Sequence, residues 1–235
     1  MVVRDNPDPA TTGQRILRAA EDLFARKGIR GTSFKEITRL AKVNIAAVNY
    51  HYGTKDALVR AVYERCLQPL NEERLRLLTM AEMAAGEGPL PLESVLHALF
   101  EPMLRTWRVN RNFILLVGRL QNEPDPALSE FIQGLYRPLI PRFMAAACKA
   151  APDVPEADLF FWIHFLFGGV IYSLINSHDM ERMHEGLNLL DSPELFLQEL
   201  IAFGTAGLRL RRPASARPPS SAGTAPLAKP ELQPA

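Results

Sequence analysis

The chain has 235 residues, of which 47% are hydrophobic and 23% are charged, a balance that excludes a wholly disordered protein. Its net charge of +1 is unevenly divided, because residues 1–60 hold 11 Lys/Arg and 6 Asp/Glu while the remainder holds 16 and 20. A basic end joined to an acidic body is typical of a protein whose one end binds phosphate groups. Cys66 and Cys148 are predicted to be reduced structural thiols in a cytoplasmic protein.

The N-terminal stretch opens with polar residues 1–10, which contain two prolines and predict a mobile arm. Apolar side chains then recur at helical spacing over residues 12–27, so a first helix is predicted there. Gly28 ends this helix at the position where a left-handed residue is favoured.

Two short helices around a tight turn follow. Ser33 and Glu36 have the spacing of a capping box, which starts a second helix that continues to Ala41. Asn44 caps a third helix that ends near His51. This is the helix-turn-helix pattern, and it predicts binding to a double-stranded DNA operator.

The outward side chains of the third helix are predicted to meet base edges in the major groove. Ile45 and Ala46 suit thymine methyl groups, and Asn49 suits the two-bond pairing with adenine. For Tyr50 the alternative is packing inside the small N-terminal domain. The predicted base-contacting residues are Asn44, Ile45, Ala46, Asn49 and Tyr50.

This region resembles the TetR-like bacterial transcriptional repressors. Their pattern is a helix ending in alanine, Gly-Val-Ser, a few variable residues, Leu-Tyr-Tyr-His-Phe, and a loop into Lys-(Asp/Glu)-x-Leu. This chain has Ala41, Val43, Val48, Asn49, Tyr50, His51, Tyr52, Lys55, Asp56 and Leu58 at these positions. It departs at Lys42, Asn44 and Asn49, which stand for the glycine, the serine and the first tyrosine. The resemblance covers residues 12–62 and implies a dimeric repressor released from DNA by a small-molecule effector.

The resemblance also implies phosphate contacts beside the third helix. His51 and Lys55 match family positions that hold phosphate, and Lys55 lies at the positive end of the fourth helix. Thr32 and Ser33 stand at the start of the second helix, where free amides are expected to point outward. For Lys55 the alternative is a solvated charge.

The rest of the chain also predicts helices. A fourth begins at Lys55, Pro69 is expected to bend or end it, and a helical pattern resumes over residues 71–85. No strand pattern occurs, so the predicted fold is all-α with about nine helices. The further predicted helices cover residues 92–108, 111–122, 127–150, 157–178 and 194–209. The predicted domains are residues 12–54 for DNA binding, 55–210 for ligand binding and dimerisation, and a disordered tail at 211–235.

The body after residue 60 is rich in aromatic side chains and Met, most of which are predicted to be core. The resemblance implies that some of them enclose an effector pocket, in which Arg119 is the predicted anchor for an anionic head group. A salt bridge at the pocket rim is the alternative for Arg119. The stretch AAVNYHYGTKDAL is similar to a subgroup that includes fatty-acid-responsive regulators, which implies an acyl chain or another apolar anion. The predicted pocket residues are Phe100, Met103, Trp107, Phe113, Leu116, Arg119, Leu120 and Phe165.

Residues 159–178 contain no Lys, Arg, Asp or Glu and are long enough to cross a membrane. An integral membrane protein anchored here is one alternative, but the flanks Asp158 and Asp179 lack basic anchors and favour a covered helix. The sequence predicts that a second copy of the chain covers it in a four-helix bundle, with its glycines allowing a close crossing. The predicted interface residues are Phe161, Phe165, Gly168, Gly169, Tyr172, Gly204 and Leu208.

Catalytic signals are not seen in the sequence. It has no Gly-rich phosphate loop, no metal-spaced Cys/His set and no serine elbow, and its 5 histidines are scattered. An enzyme of unknown type is therefore only an alternative, and the sequence predicts no catalytic residues, cofactor or metal.

Overall fold

The computed structural model describes residues 11–122, 125–183 and 192–209, and within them the chain is helical and has no strand. The all-α prediction is confirmed. The predicted arm at residues 1–10 and the predicted tail at 211–235 lie outside these ranges. The helices are α1 (Thr12–Lys27), α2 (Phe34–Ala41), α3 (Ile45–Tyr52), α4 (Lys55–Ala85), α5 (Leu92–Val109), α6 (Arg111–Asn122), α7 (Pro126–Tyr136), α8 (Leu139–Ala150), α9 (Glu156–Ile175), α10 (Ser177–Met183) and α11 (Pro193–Arg209).

The described residues thus form 11 helices where the sequence predicts about nine. The predicted helix at 127–150 is two helices, because Pro138 has no amide hydrogen to continue the ladder of α7. The predicted helix at 157–178 ends at Ile175, and α10 occupies part of the break expected after residue 178. Pro69 does not end α4, which continues through it to Ala85.

The first three helices pack around one apolar centre. Ile16 and Phe24 of α1, Ile37 of α2 and Val48 of α3 are all fully buried. The Tyr52 hydroxyl donates to the Gly13 carbonyl at 2.9 Å and so joins the end of α3 to the start of α1. Because α3 is too short to be stable alone, this packing holds it in place.

The body consists of α4 to α11. Helix α5 lies inside it, packed against α4 and α11 and burying nine of its 18 residues. Helix α6 crosses α9 closely at Gly118, where a Cβ atom would lie 2.8 Å from Ile175 Cδ1. The body therefore has a continuous apolar core that extends from α4 to α11.

The N-terminal helices are joined to the body by polar contacts as well as by α4. The Asn110 side chain donates to the Glu21 carboxylate, and the Asn112 side chain donates to Asp22 at 3.4 Å. Arg65 of α4 also forms an ion pair with Glu21 at 3.5 Å. Helices α1 and α6 are therefore fixed to each other by side chains at the start of α6.

Candidate nucleic-acid interface

The helix-turn-helix is held in shape by caps that the sequence predicts correctly. The Ser33 hydroxyl accepts from the Glu36 amide at 3.3 Å, and the Glu36 carboxylate accepts from the Ser33 amide at 2.9 Å. The Asn44 side chain accepts from the Ala47 amide at 2.8 Å and starts α3. Lys42, at the end of α2, has φ 54° and ψ 49°, the left-handed conformation that glycine favours at this position.

Helix α3 presents its predicted base-contacting residues to solvent. Val48 is fully buried on the inner side, whereas Tyr50 is 87% exposed, which excludes the alternative in which Tyr50 packs inside the domain. The Tyr50 ring lies edge-on to the ring of His51, 5.3 Å between centroids. The residues exposed on this outer side are Asn44, Ile45, Ala46, Asn49 and Tyr50.

The predicted phosphate contacts are only partly surface groups. His51 is exposed and lies beside the start of α1, and Lys55 is half-buried in the first turn of α4. Thr32 is 2% exposed and its hydroxyl donates to the Gly28 carbonyl at 2.8 Å, so the prediction that it faces phosphate is wrong. The Ser33 hydroxyl is engaged with Glu36, because the capping box uses it.

Glu36 forms both an ion pair and capping hydrogen bonds in the turn region. The Lys27 ammonium lies 2.6 Å from the Glu36 carboxylate, so α1 and α2 are joined by an ion pair. This contact, followed by the hydrogen bonds from Ser33, lowers the pKa of Glu36 to about 2. The carboxylate is therefore ionised at any pH at which the protein would meet DNA.

The predicted effector residues are core side chains in this structure. Phe100, Met103 and Trp107 of α5 and Phe113 and Leu116 of α6 are each at most 3% exposed. Phe113 also lines a cleft of about 340 Å³ between α1, α4 and α5. The side chain of Leu120 lies outside the described part of the structure.

Two of the predicted effector residues lie elsewhere. The Arg119 guanidinium donates to the Arg26 carbonyl at 3.0 Å and to the Ala25 carbonyl at 3.5 Å, so it contacts the end of α1 instead of the apolar interior. Phe165 is 72% exposed on α9 and therefore does not line an interior pocket. Because helical spacing alone does not give the orientation of a helix in the fold, the pocket assignment is wrong for both side chains, although Phe165 was also predicted to lie at the interface.

Helices α9 and α11 have exposed apolar side chains that the body does not cover. Gly168 and Gly169 are exposed beside them, and a Cβ atom at either position would meet no atom within 4 Å. We call this set the α9–α11 apolar face. Its residues are Phe161, Phe165, Gly168, Gly169 and Tyr172 of α9 and Leu195 and Phe203 of α11.

Gly204 and Leu208, which the sequence assigns to this face, point inward instead. A Cβ atom at Gly204 would lie 3.0 Å from Leu166 and 3.1 Å from Trp162, and the Gly204 carbonyl accepts from the Trp162 indole at 3.1 Å. Leu208 is 7% exposed in a cluster with Met144, Ala147 and Leu159. Both residues are therefore covered by their own chain, so neither is available to a partner as the sequence predicts.

Two family models match the chain. Residues 16–62 match the family described as bacterial regulatory proteins, tetR family, and residues 94–207 match the tetracyclin repressor-like C-terminal domain. Together these matches cover the helix-turn-helix and most of the body. The chain belongs to the TetR family.

Named relatives of this TetR-family chain are similar over part of their length. The transcriptional repressor Rv3405c of Mycobacterium tuberculosis is 51% identical over 49 residues, which are 21% of this chain and 26% of that protein. The transcriptional repressor NicS of Pseudomonas putida is 32% identical over 134 residues, which are 55% of this chain and 61% of that protein. The chain thus spans less than two thirds of these relatives.

Solved structures of the TetR family show the same fold over nearly the whole chain. A TetR-family transcriptional regulator from Bordetella parapertussis superposes with a TM-score of 0.64 at 16% identity, covering 86% of this chain and 98% of that one. The N-terminal helix-turn-helix joined to a helical C-terminal region is therefore the architecture of this chain too.

The membrane-length stretch that the sequence indicates is helix α9, whereas one buried charge was not predicted. Among the described residues, α9 is long and apolar enough to cross a membrane by length and composition. Arg74 of α4 is fully buried, although the sequence analysis did not select it. Its signal was available, because Arg74 falls on the same helical stripe as the buried Leu67 and Leu78. No group of three or more potential metal ligands was found in the part of the chain that the structure describes.

Proposed function

We propose that this protein is a cytoplasmic, ligand-responsive transcriptional repressor that binds a palindromic operator as a homodimer. The observation that carries the proposal is the outer side of α3, where Tyr50 is 87% exposed and the neighbouring outward residues are exposed with it. The second helix of a helix-turn-helix lies in the major groove, and Tyr50 is exposed on the side of α3 that would face the bases. Residues 12–54 would form the DNA-binding domain and residues 55–210 the ligand-binding and dimerisation domain.

The contacts with DNA are divided between bases and phosphates. Asn49 and Tyr50 would read base edges, together with Ile45 and Ala46. His51 and Lys55 would bind phosphates on either side of the groove, with Lys55 aided by the N-terminal amides of α4. Each operator half-site would bind one α3, so the centres of the two half-sites would lie about 10 base pairs apart.

The α9–α11 apolar face supports the dimer. Apolar side chains this exposed normally mark an interface, and the bare backbone at Gly168 and Gly169 allows a second α9 to approach closely. The membrane alternative fits less well, because Leu159, Leu166, Val170, Ile171 and Leu174 bury the other side of α9 against the body. A partner copy needs only one exposed side, whereas lipid would surround the helix.

The effector would be an apolar compound, with an acyl chain or another apolar anion as the favoured class. The buried aromatic residues of α5 and α6 support an apolar site. Asn110, Asn112 and Arg119 contact α1. These contacts support transmission of a structural change from that site to the DNA-binding helices. A shift of α6 on effector binding would move α1 and separate the two α3 helices from successive grooves.

DNA binding by the purified chain tests the proposal. Labelled DNA from upstream of its own gene should bind with an affinity that falls steeply with salt, because several phosphates are neutralised in each half-site. Lys55→Ala should weaken binding at all sequences and reduce the salt slope by about 1 per protomer. Asn49→Ala should cost about 1–3 kcal/mol at the base pair it reads.

Lys149→Ala is the matched control, because it removes the same charge from an exposed position on α8. It should leave DNA binding within twofold or so of the wild-type value. Binding no stronger than to unrelated DNA at any salt, unchanged by Tyr50→Ala and Lys55→Ala, would refute the repressor function.

A further inference from the structure

Arg74 is a buried cation at the centre of the body. It lies on α4 with no exposed surface, and its neighbours come from α4, α5, α7 and α9. Removing a guanidinium from water is costly unless an anion accompanies it. In the described part of the chain no carboxylate forms an ion pair with Arg74, so its charge is not balanced by the protein.

The hydrogen-bond partners of Arg74 are neutral, and two of them are weak. Its Nε donates to the Leu99 carbonyl at 2.8 Å, and its Nη1 donates to Asn71 Oδ1 at 3.2 Å. Its Nη2 lies 3.7 Å from the Met103 sulfur, a poor acceptor. The Tyr136 side chain also accepts a hydrogen bond from the guanidinium, so all the partners of Arg74 are neutral groups and none carries the negative charge that would balance it.

Support of the α5 turn near Leu99 does not explain why residue 74 carries a charge. Pro102 lies inside α5 and removes one backbone donor near Leu99, so a side-chain donor that supports this turn is useful. That role requires a hydrogen-bond donor but not a cation. Burial lowers the pKa of the Arg74 guanidinium, and the Tyr136 side chain opposes that effect. The environment thus disfavours the charge that the residue retains.

Apolar and polarisable groups surround the outer fork. The Arg74 guanidinium carbon lies 5.8 Å from the centroid of the Phe167 ring, which in turn lies 6.4 Å from the ring of Phe100. Met103 completes this group, and its flexible side chain can move to admit another molecule. A site of this kind suits a molecule with one anionic group and an apolar remainder.

We propose that Arg74 binds the carboxylate of the effector, an apolar carboxylic acid whose hydrocarbon part lies against Phe100, Met103 and Phe167. The carboxylate replaces Asn71 and Met103 as acceptor for the two terminal nitrogens, in the bidentate geometry that guanidinium favours. The Nε bond to Leu99 remains. This inference rests on the proposed function for its effector, and it assigns to Arg74 the anchoring role that the sequence assigned to Arg119.

Paired probes test the assignment on the purified full-length chain. Hexanoate, octanoate, decanoate and benzoate are each titrated by calorimetry beside the alcohol of the same carbon skeleton. At least one acid should bind the wild-type chain about 10-fold to 100-fold more tightly than its alcohol, the value of hydrogen bonds to a charged group. Equal or weaker binding of every acid overturns the proposal without any variant.

Variants then locate the effect. Arg74→Met should reduce the acid-to-alcohol preference to about 3-fold or less, whereas Arg119→Met should keep it. Asn71→Asp should also abolish the preference, because it places a carboxylate where Nη1 now finds the Asn71 oxygen at 3.2 Å. If Arg74→Met fails to fold, Asn71→Asp decides, and an unchanged preference in that variant refutes the role of Arg74.

DNA binding, measured in parallel, separates this inference from the function on which it rests. An acid preference that depends on Arg74 in a chain that never binds DNA would refute the repressor function and retain the anion site. Operator binding by a chain that prefers no acid would refute the anion site alone.

Discussion

Glu36 is the residue on which the geometry of the turn depends most. It closes the capping box of α2 and forms the ion pair with Lys27 of α1, so one carboxylate fixes both the start of α2 and its position against α1. These contacts stabilise the ionised form, which is why the pKa of Glu36 falls from 4.5 to about 2. A group whose pKa is lower in the folded state stabilises the fold above its unfolded pKa and loses that contribution as the pH falls.

The first prediction concerns this pH dependence. Glu36→Gln should lower the melting temperature at pH 7, where the wild-type carboxylate is ionised. The difference between the two proteins should shrink as the pH falls from about 4.5 to about 2, because the wild-type carboxylate is protonated over that range. Thermal unfolding followed by circular dichroism at several pH values measures it.

Glu64→Gln, at an exposed position on α4, is the control for the loss of one negative charge. A pH-independent difference between Glu36→Gln and the wild type would contradict the assignment of the ion pair to the folded state.

Hydrogen bonds between residues close in sequence could be predicted, whereas the direction in which a side chain points in the folded protein could not. The caps at Ser33 and Asn44 depend on spacings of three residues, so the sequence contains all the information they need. Thr32 was placed at the surface wrongly, because its burial depends on the Gly28 carbonyl at the end of α1. Arg119 was placed in a pocket because nothing in its own helix indicates that α1 lies beside it.

At the scale of elements, Tyr63 joins α4 to α6. Its hydroxyl donates to the Leu116 carbonyl at 3.0 Å, and the side chain is 1% exposed. Since α4 follows α3 directly and α6 contacts α1, this bond ties together the two helices that connect the body to the N-terminal region. This hydrogen bond therefore stabilises that connection, and its contribution can be measured.

The second prediction is that Tyr63→Phe lowers the free energy of unfolding by about 1 kcal/mol. The substitution removes only the hydroxyl, and the Leu116 carbonyl can keep its partner within α6, so no larger penalty is expected. Urea unfolding at constant temperature measures the change.

Tyr50→Phe is the matched control, because it makes the same chemical change at a side chain that is 87% exposed. It should leave the stability of the protein unaltered. A loss at Tyr63 no greater than at Tyr50 would mean that the hydrogen bond between α4 and α6 contributes nothing.

The positions of the long helices could be predicted more reliably than the breaks between helices. Long periodic segments gave α1, α5 and α6 within a residue or two, because apolar side chains recur at 3.6-residue spacing. Pro69 does not end α4, because packing against α5 supports the helix through the proline. Tertiary contacts, which a single segment does not contain, decide whether a proline interrupts a helix.

For the whole molecule, the question is what covers the α9–α11 apolar face. Phe165, Tyr172 and Phe203 are 65% to 75% exposed. Leaving such large apolar side chains in water is costly. Pairing them about a two-fold axis buries each of these side chains in both protomers of the dimer. The same axis would set the spacing of the two α3 helices, so dimerisation and operator binding should fail together.

The last prediction is therefore that Phe165→Asp yields a folded monomer with weakened operator binding. Each aromatic side chain at the centre of an interface contributes about 2 kcal/mol, and the symmetric dimer loses two, so its dissociation constant should rise by about 1,000-fold. The isolated chain should keep its stability, since Phe165 is 72% exposed and packs little within its own chain.

Met83→Asp makes the same change at a 76% exposed apolar residue on α4 and should leave the dimer intact. Sedimentation velocity at several concentrations distinguishes the two variants. A wild-type monomer, or a dimer undisturbed by Phe165→Asp, would exclude the α9–α11 apolar face as the interface.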